Sequence, residues 1–270
     1  MSGPIRYFRI YLALARYGLA RELAFRGNFV VKMIVEVLWL SIVLAFYETV
    51  FTKTSVVASW TRTEYLFFIG CYFTLLALIE ALFLSNCSEF AELVRTGDLD
   101  FYLLKPIDEQ FLVTCRDIDW SCVANVAMGI VVMIIALLHL EWTFDVLRVL
   151  AFGTLFVCGI AIAYSLLVCL MSMSVWLKRN QSLYELWWLF TSLARYPKEI
   201  FSGRFAGPLG KFFTWIIPVL VVVNVPARVM IRKLEDPWLI AFTVPVAVVL
   251  LFASRKFFRY ALRRYRSASS

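Results

Sequence analysis

The sequence predicts an all-α membrane protein whose helices cross the bilayer several times, and three observations support this fold class. Hydrophobic residues make up 62% of the 270 residues and charged residues only 17%, whereas soluble domains are roughly 45–50% apolar and about 25% charged. One soluble core could not bury this much apolar surface, because surface-to-volume scaling limits the buried fraction. Long apolar runs recur along the chain, and both chain ends are basic, as the cytoplasmic flanks of membrane helices are.

Five apolar runs reach the length of about 20 residues that a spanning helix needs. They are 29–51, 65–85, 120–140, 149–176 and 238–258. The shorter run 183–193 can span only if it continues, with a kink at Pro197, towards residue 205. Residues 212–231 are apolar but interrupted by Pro218, Asn224 and Pro226, which indicates a broken or re-entrant hairpin at least as well as a simple span.

The charge distribution predicts that both termini lie in the cytoplasm, because arginine and lysine favour that side. An even number of spans follows, so the expected topology is six spans with a re-entrant hairpin before the last one. Residues 1–27 are expected to form an amphipathic interface helix, because arginines cluster on one side and apolar residues cover much of the rest. The alternative for this segment is an ordinary basic flank of the first span.

No catalytic, cofactor-binding or metal-binding residue is assigned from the sequence. The chain has a single histidine, His139, so neither a Ser-His-Asp site nor a two-histidine metal site is expected. It contains no GxxxxGK[ST] phosphate loop, so it is not expected to bind ATP by itself. The net charge of +8 is attributed to membrane topology, and no nucleic-acid partner is expected.

Two carboxylates lie inside apolar runs, where charged groups are costly and usually face a bundle interior or a wet cavity. Glu36 and Glu80 are therefore candidates for a substrate path or a subunit interface. The alternative is a structural pair that holds helices together. Lys32 lies one helical turn before Glu36 and could pair with it, or could extend to the membrane surface.

The segment between the second and third apolar runs, residues 87–117, predicts a structured cytoplasmic loop. Phe90 to Arg95 is expected to form a short helix, and Gly97 is placed to cap its C-terminus. The loop also has apolar side chains to bury, namely Leu93, Leu99, Phe101 and Leu103. Anionic lipid would repel its many carboxylates, which favours docking on a soluble partner over lying on the membrane.

This loop contains the run VRTGDLDFYLLKP, from Val94 to Pro106, which resembles the R-x-G-x-L-D-x-x-L-L-x-P loop of ABC-2-type transporter permeases. The resemblance is to the branch of short permeases that pair with a separate ATPase. Three further segments resemble that branch in the expected order: YPKEIF at 196–201, the proline-containing hairpin at 217–227 and YRS at 265–267.

The resemblance implies one transmembrane domain over 1–270, with an interface helix, six spans, a cytoplasmic coupling helix at 87–117 and an extracytoplasmic re-entrant region at 195–236. Coupling to the ATPase would fall on Glu92, Arg95, Gly97, Asp98, Leu99, Asp100, Leu103, Leu104 and Pro106. The re-entrant gate would fall on Pro197, Phe201, Pro218 and Pro226.

The resemblance further implies the permease subunit of an ATP-driven exporter in a bacterial cytoplasmic (inner) membrane, not itself an enzyme. Two ATPase subunits, which carry ATP and Mg, would bind a permease dimer of identical or, by preference, different chains. The expected substrate is hydrophobic or amphipathic and leaves the cytoplasm or inner leaflet, although a shared fold does not name the substrate. The alternatives are a membrane-embedded lipid-modifying enzyme and a secondary transporter or channel.

Overall fold

The computed structural model describes residues 3–24, 26–177, 181–231 and 237–265, and most of these lie in helices. The first six helices are α1 Pro4–Ala24, α2 Arg26–Lys53, α3 Arg62–Ile79, α4 Ser85–Thr96, α5 Leu99–Leu103 and α6 Glu109–Thr114. The later six are α7 Val123–His139, α8 Val146–Leu177, α9 Gln181–Ala194, α10 Gly207–Trp215, α11 Val219–Ile231 and α12 Pro237–Arg264.

Short elements connect these helices. A two-residue hairpin, β1 (Val56–Val57) paired antiparallel with β2 (Trp60–Thr61), joins α2 to α3. A π-helical turn, Glu80–Leu84, joins α3 to α4. Two 3-10 turns cover Trp120–Cys122, before α7, and Lys198–Ser202, after α9.

Five described segments are long and apolar enough to cross a membrane. They are Phe29–Lys53, Arg62–Thr96, Trp120–His139, Val146–Leu177 and Trp238–Arg264. Each contains most or all of one predicted apolar run, so these five predictions are confirmed. The mostly helical, multi-pass architecture agrees with the predicted fold class.

The chain between α8 and α12 is built from short helices. The run that begins at residue 183 lies in α9, which ends at Ala194, and the chain leaves helical geometry before the 3-10 turn Lys198–Ser202. Helices α10 and α11 are bent by 83° relative to each other, so together they form either a broken span or a re-entrant pair. Residues 232–236, the end of the predicted re-entrant region, lie outside the described residues.

The segment Arg62–Thr96 differs from the prediction of a span ending near residue 85 followed by a separate helix from Phe90. The π turn instead connects α3 to α4 without a break, because backbone hydrogen bonding continues where the apolar pattern stops. Its 35 residues extend about 52 Å at 1.5 Å per residue, which exceeds the roughly 30 Å hydrocarbon core. One end of this segment therefore reaches beyond the hydrocarbon.

Helices α3 and α7 approach each other closely at a pair of glycines. A Cβ added to Gly129 would lie 2.9 Å from the backbone N of Thr74 and 3.0 Å from the carbonyl O of Gly70. A Cβ on Gly70 would lie 2.8 Å from the carbonyl O of Gly129. Small residues permit such approaches between membrane helices, which pack by van der Waals contact and not by a hydrophobic driving force. These glycines fix α3, the most buried span, against α7.

The helix bundle has two ends. The basal end comprises α1, α4 to α6 and the last turns of α12. The hairpin end comprises β1, β2, the turn Lys198–Ser202 and the α7–α8 connection. Helix α1 occupies the predicted interface segment, of which residues 1, 2 and 25 lie outside the described residues. The C-terminal YRS segment is described only at its tyrosine.

Candidate functional site

The loop at the basal end is shaped by Gly97, which follows α4. Its φ of 85° is left-handed, a conformation in which most other residues are strained, and it ends the helix as the sequence predicts. In the last turn of α4, the Nε of Arg95 donates to Glu92 at 2.9 Å. The Thr96 hydroxyl then donates to the Asp98 carboxylate at 2.8 Å, so side chains on both sides of the glycine hold the turn.

Helix α5 separates buried from exposed apolar side chains. Leu99 is fully buried in the main core, and Leu103 packs against that core. Phe101 and Leu104 are 67% and 81% exposed, so the described chain does not cover Phe101, and its burial against a soluble partner stays a prediction. A helix of five residues has one inward face, and Leu99 and Leu103, four residues apart, occupy it.

Asp108 connects this loop to α12. Its carboxylate accepts two hydrogen bonds from the Arg255 guanidinium, one of them from Nη1 at 3.1 Å. It also caps α6 by accepting the Phe111 backbone N–H at 3.1 Å. The hydrogen bonds from Arg255 hold the pKa of Asp108 below its ordinary value, because they favour the ionised carboxylate. Gln110 accepts from Arg255 at 3.3 Å and donates to the Tyr164 hydroxyl of α8 at 2.9 Å.

The N-terminal half of α1 contacts the same loop. The Tyr7 hydroxyl accepts the backbone N–H of Asp108 at 3.2 Å. Nη2 of Arg6 donates to the carbonyl of Pro106 at 3.3 Å. The loop is therefore held from α12 on one side and from α1 on the other.

The return of the chain from the loop towards α7 is fixed by Asn86 of α4. Its amide nitrogen donates to the carbonyl of Asp117 at 2.7 Å, and its amide oxygen accepts the Asp117 N–H at 2.9 Å. Arg21 of α1 forms an ion pair with the Asp117 carboxylate. These contacts join α1, α4 and the segment before α7 into one basal unit.

A second site is a cavity of about 350 Å³ between α2, α3, α7 and α9. Glu36 and Glu80, the two intramembrane candidates from the sequence, both line it. Glu36 accepts a hydrogen bond from the amide nitrogen of Asn125 at 2.8 Å. Lys32 lies 3.5 Å from the carboxylate of Asp119, so its ion-pair partner is Asp119 and not Glu36, which was one of the two alternatives for this side chain.

Several polar groups in this cavity lack partners among the described residues. Glu80 begins the π turn, an arrangement often found at functional sites, and makes no hydrogen bond or ion pair with the described chain. Asn125 is only 4% exposed, and its Oδ1 has no hydrogen-bond partner there. The Nε of Arg195 is also buried and unpartnered, while its guanidinium lies 5.6 Å from the ring centroids of both Trp39 and Tyr72.

At the hairpin end, Glu199 joins three elements. Its Oε2 accepts hydrogen bonds from the Trp60 indole at 2.9 Å and from the Asn224 amide at 3.2 Å. Its Oε1 lies 3.2 Å from Nη2 of Arg228, and both side chains are 16% exposed. The hairpin between α2 and α3 is thereby connected to α11 through a largely buried ion pair.

The four residues assigned to the re-entrant gate lie at or near breaks between short helices. Pro197 precedes the 3-10 turn, and Phe201 leaves helical geometry within it. Helix α10 approaches Phe201 closely, since a Cβ on Gly210 would lie 2.6 Å from the Phe201 carbonyl. Pro218 separates α10 from α11, Pro226 lies inside α11, and both are buried.

The structure thus brings Glu36 and Glu80 together, whereas the gate residues and the basal loop form separate regions. Sequence reasoning missed Asn125, Arg195 and Glu199. The signal that selected Glu36 and Glu80, a polar residue within an apolar stretch, would also have found Asn125. Within the described ranges, no group of three or more His, Cys, Asp or Glu could hold a metal ion.

Comparison with known proteins identifies the family. No curated protein and no solved structure matches the chain. The family model described as ABC-2 family transporter protein matches residues 37–269. This range includes most of the first span, all the later spans and both loops discussed above. Permeases of this family are transmembrane subunits that generally dimerise and associate with an ATPase subunit. The match confirms the resemblance seen in the sequence, and this multi-pass membrane chain belongs to the ABC-2 family of transporter permeases.

Proposed function

We propose that this chain is the membrane subunit of an ATP-driven exporter and that a separate ATPase binds the basal loop, residues 89–108. The observation that carries the proposal is the exposure of Phe101 and Leu104 on a loop held from both sides. Apolar side chains presented in this way gain free energy when a partner removes them from water. The family association with an ATPase makes that subunit the expected partner.

The position of the loop supports a soluble partner rather than lipid. The length of Arg62–Thr96 carries its basal end beyond the hydrocarbon. Glu92 and Asp98 are exposed there, and an anionic leaflet would repel their carboxylates. A soluble partner could cover Phe101 and Leu104 with apolar side chains and pair basic side chains with Glu92 and Asp98.

Two contacts can transmit a displacement of the ATPase from the basal loop to the membrane-spanning helices. The Asp108–Arg255 pair connects the loop to α12, and the Tyr7 hydroxyl connects it to α1. Leu99 and Leu103 pack the loop onto the core. In this proposal Gly97 and Pro106 set the path of the loop, and Asp100 lies beside the ATPase contact. A displacement of the loop then moves α1 and α12 together.

Contacts at the hairpin end support a re-entrant α10–α11 pair. Glu199 contacts Trp60, in the connection between α2 and α3. The carbonyl of Met230 accepts a hydrogen bond from Trp142, between α7 and α8, at 2.9 Å. A segment that begins and ends at the same end of the bundle, with an 83° bend between its helices, has the geometry of a re-entrant hairpin. Helix α9 and the chain up to Glu199 then make the remaining crossing.

The proposal includes the orientation of the chain in the membrane and the subunits with which it assembles. The basic α1 and the basic end of α12 lie at the basal end, and the positive-inside rule supports a cytoplasmic position for this end. The membrane of the proposal is a bacterial inner membrane. Two ATPase subunits, with ATP and Mg, would bind two permeases, preferentially different ones. The substrate would be hydrophobic or amphipathic and would leave the cytoplasm or the inner leaflet.

The docking surface can be tested by purifying the tagged chain from its native membrane in mild detergent and measuring ATP hydrolysis per mole of chain. We expect hydrolysis to co-purify with the wild-type chain and to be lost when Phe101→Ser and Leu104→Ser are combined. The matched control is Phe205→Ser, because Phe205 is 95% exposed near the hairpin end.

Two results would overturn the proposal. Full hydrolysis with the double variant would show that the ATPase does not bind through Phe101 and Leu104. Lipid modification by the purified chain, without ATP and without any co-purifying hydrolysis, would favour the membrane-enzyme alternative.

A further inference from the structure

The cavity between α2, α3, α7 and α9 has different chemistry at its two ends. Tyr72 and Glu80 are eight residues apart on one helix, which corresponds to a rise of about 12 Å. Arg195 lies over Tyr72 and Trp39 at one end. Glu80 and Glu36 mark the other end, since Glu36 precedes Trp39 by one turn of α2. The volume of about 350 Å³ lies in the range of small-molecule sites, roughly 300–1,000 Å³.

At the end marked by the glutamates, two hydrogen-bond acceptors have no partner among the described residues. Glu80 has no partner in the described chain, and the buried Oδ1 of Asn125 is likewise unpartnered. The nearby cation Lys32 is paired with Asp119. A buried acceptor without a partner is costly. A ligand that brings several N–H donors would relieve this cost at Asn125 Oδ1 and would also pair with the Glu80 carboxylate.

The wall between the two ends is apolar and aromatic. Trp39, Phe73, Leu76 and Trp188 line it. Trp39 and Trp188 are 46% and 42% exposed, so this wall is accessible from outside the helix bundle. An apolar body can lie against these side chains, while the cation Arg195 disfavours a second positive charge at the far end.

We propose that this cavity binds an organic amine, with the protonated nitrogen between Glu80, Glu36 and Asn125 Oδ1 and its apolar body against the tryptophans. An ammonium group supplies up to three N–H donors and satisfies the two unpartnered acceptors at once. A neutral hydroxyl in the same place has one O–H donor and no charge, so it could pair with only one of these acceptors at a time. The proposal narrows the substrate class of the exporter and rests on the proposed function for its role in transport, though not for binding itself.

The test uses the purified full-length chain in lipid nanodiscs and isothermal titration calorimetry, with empty nanodiscs subtracted. The probes are 2-(2-naphthyl)ethylamine and the matched alcohol 2-(2-naphthyl)ethanol, which differ only in the polar head. We expect the amine to bind at least about tenfold more tightly than the alcohol. Glu80→Gln and Asn125→Leu should each remove most of that preference and leave alcohol binding nearly unchanged.

Glu48→Gln is the matched control. Glu48 lies on α2, as Glu36 does, but it is outside the cavity and pairs with Arg62 at the hairpin end. Equal affinity of the wild-type chain for the two probes would overturn the proposal, as would an unchanged amine preference in both cavity variants. The wild-type comparison needs no variant to fold. No ATPase is present, so failure here leaves ATPase docking standing, and failure of ATPase docking leaves amine binding standing.

Discussion

The indole Nε1 of Trp60 donates a hydrogen bond to the carboxylate of Glu199 at 2.9 Å, across 139 residues of sequence. Trp60 is fully buried, and the same carboxylate pairs with Arg228. This contact joins the hairpin that precedes α3 to the broken helices that precede α12. The Glu199 carboxylate therefore connects the segments that meet at the hairpin end.

We predict that Glu199→Ala lowers the free energy of unfolding by about 3–5 kcal/mol, because Arg228 and the Trp60 indole would lose a shared buried partner. Thermal unfolding of the purified chain in detergent measures the effect. Glu48→Ala is the control, since its partner Arg62 is largely exposed and such pairs contribute little. Equal losses in the two variants would show that the Glu199 cluster is not a buried structural contact.

The α3–α7 contact predicts a large difference between two glycines. Gly129→Ala should destabilise the chain by about 1–3 kcal/mol, because overpacking forces neighbouring backbone apart and the new Cβ would meet Thr74 N at 2.9 Å. Gly153→Ala, in α8, places a Cβ with no atom within 4 Å and should be neutral or slightly stabilising. Thermal unfolding of both variants measures the difference. A higher unfolding temperature for Gly129→Ala than for Gly153→Ala would contradict this packing.

The Asp108–Arg255 pair predicts a dependence of stability on pH. Because the folded pKa of Asp108 is lowered, its contribution is fully present above the unfolded pKa of about 4 and is lost as pH falls through the folded value. Asp108→Asn keeps an amide oxygen that can cap α6 but removes the ionised partner of Arg255. The variant should unfold at a lower temperature than wild type at pH 6, and the gap should narrow at pH 3. A gap that stays constant or widens would contradict the assignment.

The spans and the Gly97 cap could be predicted from the sequence, since both depend on local signals: apolar run length and a glycine after a helix. The continuation of α3 into α4 could not, because the apolar pattern ends before the helix does. The Asp108–Arg255 pair joins residues 147 apart, and no local periodicity indicates which distant side chain a carboxylate meets. Glu36 and Glu80 could be selected as unusual charges, but their meeting in one cavity depends on how α2, α3 and α7 pack.

Gly97 provides a prediction about coupling. Gly97→Val should disturb the left-handed turn at φ 85°, displace α5 and reduce ATP hydrolysis in the co-purified complex severalfold. Gly97→Asn should retain most of it, because asparagine tolerates this conformation. Hydrolysis per mole of chain is the measurement. Equal loss of hydrolysis in both variants would contradict this explanation. It would show that position 97 does not accept a side chain, whatever the backbone conformation.

The most direct test of coupling through the basal loop is to add the co-purifying ATPase to proteoliposomes that contain the chain and to measure its hydrolysis rate. We expect the wild-type chain to stimulate hydrolysis severalfold over empty liposomes. Asp108→Asn should bind the ATPase but lose most of the stimulation, because the loop would no longer be tied to Arg255 of α12. Equal rates with wild-type and empty liposomes, or undiminished stimulation by the chain that carries both Phe101→Ser and Leu104→Ser, would contradict the account.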